Sequence, residues 1–182
     1  MALTYTPAGE LGSKAPNFSL TGVDGQVYSW DSFNKKTILC FIFMCNHCPY
    51  VKAIEDRIIA LSNELAPRGV QFVGICSNDS KEHPEDSFEN LKIRWQEKQY
   101  GFPYLWDETQ ECAKNFGAVC TPDIFVYDKQ RRLAYRGRLD DSWKDPTQVK
   151  RQELKEAISS ILEFGAVKFS SHPSMGCSIK WK

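Results

Sequence analysis

The chain alternates between short, almost wholly apolar runs and stretches whose apolar residues recur every three or four positions. Ile38-Leu39-Cys40-Phe41-Ile42-Phe43-Met44 and Val70-Gln71-Phe72-Val73-Gly74-Ile75-Cys76 are runs of the first kind. A strand covered on both faces reads this way, because neither side of it meets water. Between them Val51, Ile54, Ile58, Leu61 and Leu65 fall on one face of a helix. Pro67 and Gly69 end that helix. The three segments predict a strand–helix–strand unit with a right-handed crossover.

The same reading carries along the rest of the chain. Residues 15–30 predict a hairpin turning through Asp24-Gly25. A polar loop over 77–84 leads to a helix over 86–99 with Phe88, Leu91 and Trp95 inward. An extended piece over 102–106 and a short helix over 111–116, closed by Gly117, follow. Residues 123–127 and 133–139 predict an antiparallel pair at one side of the sheet. Asp145-Pro146 reads as the cap and first position of the last helix, with Leu154, Ile158, Ile161 and Leu162 inward and Gly165 as its stop. Residues 166–182 show no pattern and are expected to form an irregular tail. The class is α/β, one domain over 1–182 with its core over about 12–164, and no repeat or linker interrupts it.

Composition narrows the partners. Twenty-three basic residues balance twenty-three acidic ones, so no broad attraction to nucleic acid or anionic lipid is expected. No segment approaches the roughly 18 apolar residues of a membrane span. Met1-Ala2-Leu3-Thr4-Tyr5-Thr6-Pro7 lacks the basic start and apolar core of a secretory signal, and a cytoplasmic location is expected. Seven cysteines, an odd number, argue against a disulfide framework and for one reactive pair among buried thiols.

That pair is Cys45-Asn46-His47-Cys48, directly after the first core strand. Two thiols at that spacing close a disulfide where a helix begins, and the helix N-terminus favours thiolate. Pro49 suits the first helical turn, where its missing N–H costs nothing. Cys45, ahead of the helix, is expected nearer solvent as the attacking thiol, with Cys48 resolving the mixed disulfide. His47 is expected to lower the Cys45 pKa and make the disulfide more oxidising. Cys45, His47 and Cys48 would also suit copper(I) or zinc if His172 or Cys177 completed the set. Cys40, Cys76 and Cys112 read as packing residues.

Ala15-Pro16-Asn17-Phe18-Ser19-Leu20, Cys45-Asn46-His47-Cys48-Pro49, the insert over 78–107 and Thr121-Pro122-Asp123-Ile124-Phe125 occur in an order that resembles the thioredoxin superfamily. Within it the chain is similar to the thioredoxin-like branch of the alkyl hydroperoxide reductase/thiol-specific antioxidant group, over roughly residues 12–164. The ending Gly176-Cys177-Ser178-Ile179-Lys180-Trp181 resembles a subgroup of bacterial proteins of this kind. The resemblance implies a thioredoxin-like fold: a central mixed β-sheet flanked by helices, with an N-terminal β-hairpin and an inserted helix–strand segment. It implies that Pro122 is cis and that Thr121 offers its backbone to an incoming peptide. It also suggests two further thiols near the pair. Cys120 would approach through the Thr-Pro turn, and Cys177 through a mobile tail; each reads either as an additional redox thiol or as an inert one.

Two positions depart from the resemblance. Peroxiredoxins place a threonine three residues before the peroxide-reacting cysteine; here those places hold Cys45, counted from Cys48, and Ile42, counted from Cys45. Thioredoxin's buried carboxylate, six residues before its first active-site cysteine, is Leu39 here. The expected function is thiol–disulfide exchange on protein or small-thiol substrates, with a separate electron donor and no cofactor. A thiol-dependent peroxidase and a copper- or zinc-binding redox module are the alternatives.

Overall fold

A computed structural model of the chain describes residues 3–182. From the N-terminus it runs β1 (Leu3–Tyr5), β2 (Ser19–Gly22), β3 (Val27–Ser29), β4 (Ile38–Phe43), α1 (Pro49–Leu65) and β5 (Val70–Cys76). Then come α2 (Phe88–Glu97), β6 (Tyr104–Trp106), α3 (Glu111–Phe116), β7 (Cys120–Thr121), β8 (Asp123–Tyr127), β9 (Leu133–Arg136), α4 (Glu153–Phe164) and β10 (Met175–Ser178).

Seven strands form one mixed sheet in the order β3-β2-β6-β5-β4-β8-β9. β4 lies parallel to β5, from Ile38 opposite Val70 to Phe43 opposite Ile75, and antiparallel to β8. Its alternate residues serve two cores. Ile38, Cys40 and Ile42 pack with Ile54, Ile58 and Leu65 of α1 and Leu154 and Ile158 of α4. Leu39, Phe41 and Phe43 face the other side, among Phe18, Phe116, Phe125 and Tyr127. Both faces are therefore dry, which is why the run carries no polar alternation. α1 gives way to a 3₁₀ turn at Ala66–Arg68, and Gly69 takes the left-handed conformation (φ 80°) that sends the chain back into β5.

The hairpin, the strand–helix–strand unit and the antiparallel β8–β9 pair stand where the patterns place them. Two expectations are corrected. Asp145-Pro146 opens only a 3₁₀ turn, Pro146–Gln148, in which the Asp145 side chain accepts from the Thr147 amide. Val149 then turns extended (ψ 115°), and α4 starts afresh at Glu153. The tail is not irregular either: β10 lies between β1 and β7 in a second, three-stranded sheet. Met175-Gly176-Cys177-Ser178 has neither a strand's alternation nor β-branched residues, so only pairing with distant segments makes it a strand. Among the described residues no helix is long and apolar enough to cross a membrane.

Candidate active site

Cys45 and Cys48 sit at the junction of β4 and α1, where the sheet's C-terminal edge meets a helix start. Cys48 is the N-cap of α1 and Pro49 its first residue. Both cysteines are buried, at 1% and 0% exposure, within the apolar cluster between sheet and helices. Cys45 is thus no nearer solvent than Cys48, contrary to expectation. Its sulfur lies 3.4 Å from Thr121 Oγ1, while the Cys48 thiol donates to the Thr121 carbonyl at 3.1 Å. The Thr121-Pro122 peptide bond is cis, as the resemblance implies.

The pKa shifts of the two thiols are linked, each having the other cysteine as its largest cause. Cys48 is the more acidic: the Cys45 thiol donates to it, which outweighs burial, and Thr121 with the Val51 and Cys177 amides pull the same way, to about 4. One contact opposes this, because the Thr121 carbonyl is an acceptor that a Cys48 thiolate leaves unsatisfied. Several donors against one acceptor leave the charge on Cys48. Cys45 moves the other way. Donating its proton to Cys48 raises its pKa most, followed by burial and the Asp86 carboxylate. The expectation that His47 makes Cys45 the acidic thiol is therefore reversed.

Asp86, which sequence reasoning did not single out, explains part of that reversal. It is fully buried and accepts from the Asn46 amide (2.8 Å), Asn78 Nδ2 (2.8 Å) and His47 Nδ1 (2.7 Å). Burial pushes its carboxyl up, but the His47 and Asn78 hydrogen bonds more than offset this and hold it below the usual value. The same bond raises the His47 pKa against the effect of burial. A protonated His47 is thus neutralised by its own partner, so its pull on the dithiol is weak. His83 stacks on the His47 ring at 4.6 Å. The insert that carries Asp86 is fastened to the rest. Asn46 Nδ2 donates to the Glu85 and Asn90 carbonyls, and Arg94 of α2 forks onto Glu55 of α1. No periodicity marks Asp86, and its only sequence signal is the general one of an acid near a helix start.

The remaining candidates separate into those near the pair and those apart from it. Cys120 is buried in β7, with its thiol on the Pro122 carbonyl and its pKa raised by burial. Cys177 is 2% exposed, in β10, in the same cluster as the pair, not on a mobile tail. β10 pairs with β7, Cys177 opposite Thr121, so the edge expected to receive a peptide is occupied by the chain's own C-terminal strand. His172 lies on Glu153 Oε1 (2.8 Å), away from the dithiol, which removes it from any metal set. Cys45, His47 and Asp86 bring one ligand atom each within 4.8 Å of one another. That trio suits zinc by type, but Asp86 already holds the Nδ1 of His47 and two further donors. Cys40, Cys76 and Cys112 are buried, and burial raises each of their pKa values. A cavity of about 260 Å³ beside β10 is lined by Tyr50, Ile54, Pro122, Trp143 and Met175.

Residues 10–157 match the protein family described as redoxin. A solved structure of an uncharacterized conserved protein from Geobacillus kaustophilus is 43% identical with a TM-score of 0.94, covering 100% of this chain and 97% of that one. A thioredoxin-family thiol:disulfide interchange protein from Chlorobium tepidum shares the fold, at TM-score 0.61 and 24% identity over 76% of this chain and 93% of that one. Among curated proteins, the thiol-disulfide oxidoreductase ResA of Bacillus thuringiensis is 22% identical over 162 residues, 85% of this chain and 78% of its own length.

Proposed function

The chain belongs to the redoxin family, and from that premise we propose that it is a thiol–disulfide oxidoreductase whose redox pair is Cys45 and Cys48. The observation that carries the reading is the placement of two buried sulfurs at a helix N-terminus, both against Thr121 and beside cis-Pro122. Cys45 attacks one sulfur of a substrate disulfide, and its proton passes to the Cys48 thiolate to which it is already hydrogen-bonded. The other substrate sulfur leaves. Cys48 then attacks Cys45, closing the Cys45–Cys48 disulfide and releasing the second substrate thiol, which takes up the Cys48 proton. The Cys48 thiolate thus replaces the carboxylate that Leu39 lacks. The substrates are protein or small-molecule disulfides, and a separate dithiol donor must reduce the pair again. Five further buried thiols suit a reducing compartment such as the cytoplasm.

Cys48→Ser tests the order of attack. With the resolving sulfur gone and insulin or glutathione disulfide as substrate, a mixed disulfide between Cys45 and one insulin chain or one glutathione is expected to accumulate as the other substrate thiol leaves. Mass spectrometry under non-reducing conditions reads it. An adduct found on another cysteine would refute Cys45 as the entering thiol.

The peroxidase alternative predicts a different rate. The charged group facing Cys45 is the Asp86 carboxylate, which raises the thiol's pKa and offers nothing to a departing hydroxide. Stopped-flow reaction of the reduced protein with hydrogen peroxide is expected to proceed at the rate of an ordinary thiolate. A rate constant orders of magnitude higher would promote the peroxidase reading.

A further inference from the structure

The edge of β7, which carries Thr121 against the dithiol, is already occupied by β10. Cys177 stands opposite Thr121 and Ser178 opposite Cys120. The approach is close: a Cβ on Gly176 would stand 1.9 Å from the Thr121 carbonyl oxygen and 2.6 Å from its carbon. Only glycine allows it, and it brings the next residue's thiol down to the pair. Cys177 shares the apolar cluster of Cys45 and Cys48. The Cys48 sulfur acts on it, raising the Cys177 pKa second only to burial.

The strand is held on both sides of this contact. β1 pairs with its outer edge, Leu3 opposite Cys177. Beyond it Ile179 donates to the Val119 carbonyl, Lys180 donates to Asn78 Oδ1, and Gln110 Nε2 donates to the Lys180 carbonyl. β10 is therefore placed as a substrate segment would be, and it carries a cysteine at the position facing the resolving sulfur.

We propose that Cys177 is a resident third thiol of the centre, an internal substrate that takes the disulfide from Cys45–Cys48 and holds it as Cys48–Cys177. The inference rests on the thiol–disulfide reading of the pair. The Cys177 sulfur attacks Cys48 Sγ; the Cys48–Cys177 bond forms and the Cys45–Cys48 bond breaks. Cys45 leaves with the electron pair and takes up the proton that Cys177 loses. No external oxidant enters, since the pair was oxidised when it reduced its substrate. Electrostatics time the step. Burial and then the Cys48 sulfur hold the Cys177 thiol up at about 11 in the reduced protein. Once Cys48 is bound in a disulfide its charge is gone, and Cys177 becomes the easier thiol to ionise. The product has its free thiol at Cys45, and β10 is locked covalently onto the site.

Disulfide mapping tests this on the full chain. The reduced protein is oxidised with glutathione disulfide, quenched in acid, unfolded in N-ethylmaleimide, digested and analysed without reduction. Wild type is expected to yield a Cys48–Cys177 peptide together with Cys45–Cys48. In Cys45→Ser, Cys48 attacks glutathione disulfide and Cys177 displaces glutathione from it, so Cys48–Cys177 should be the main product. If Cys45–Cys48 forms in wild type while Cys177 is alkylated in both proteins, with glutathione left on Cys48 of the variant, the inference fails and the redox pair stands. If no disulfide forms at Cys45 or Cys48 in wild type, both fail.

Discussion

Replacing Cys45 by serine in a Cys177→Ser background, where Cys48 has no second thiol to resolve on, is expected to reduce insulin-disulfide turnover to the background rate of the thiol donor alone. The exchange needs one sulfur to enter and a second to resolve, and serine's hydroxyl is no nucleophile toward a disulfide at neutral pH. The substitution has a second consequence that a simple loss of fold would not produce. The Cys45 thiol is the largest single influence lowering the Cys48 pKa. Without it, burial and the Thr121 carbonyl count for more, and the Cys48 thiolate absorbance should titrate at higher pH. Retained turnover would overturn the assignment of the pair. An unmoved Cys48 titration would show that the sulfurs do not share a proton.

Asp86→Ala is expected to destabilise the protein by about 3–5 kcal/mol, the range for removing one member of a buried charged pair. The change strands the Asn46 amide, Asn78 Nδ2 and His47 Nδ1, which now converge on one carboxylate. The loss depends on pH in a way set by both partners. His47 is raised above 6.5 in the folded protein, so its contribution is complete below that value and fades as pH rises through the folded one. Asp86 is depressed below 3.8, so its contribution is complete above that value and fades as pH falls through the folded one. The gap between wild type and variant should be widest between these limits. Urea unfolding at about pH 5.5 should show a larger difference than at about pH 9. A gap that does not narrow toward alkaline pH would mean that His47 carries no charge in this contact.

The loss of Asp86 also bears on catalysis. Its carboxylate raises the Cys45 pKa, and it pins the Asn46-His47 loop through two backbone amides and the ring. The insert over residues 78–107 thus acts on the dithiol through Asp86, while Thr121 contacts both sulfurs directly.

The features legible in the sequence were those written in local periodicity. The apolar run of β4, the three-and-four spacing on α1, the cysteines between them and Pro49 each depend on neighbours a few residues away, so the strand, the helix and the position of the dithiol followed directly. Tertiary structure decided what surrounds that dithiol. Asp86 reaches the loop from forty residues along the chain, and no pattern distinguishes it from any solvated acid. The β10 strand exists because Leu3 and Thr121 flank Cys177, a pairing that closes almost the whole length of the chain. Those distant groups add to the difference between the two thiols: the Asp86 carboxylate raises Cys45, and Thr121 and the Cys177 amide lower Cys48, beside the larger effect each cysteine has on the other. A sequence shows which residues must leave water; it does not show which distant group, donor or carboxylate, will meet them there, and a thiol's pKa is set by that neighbour.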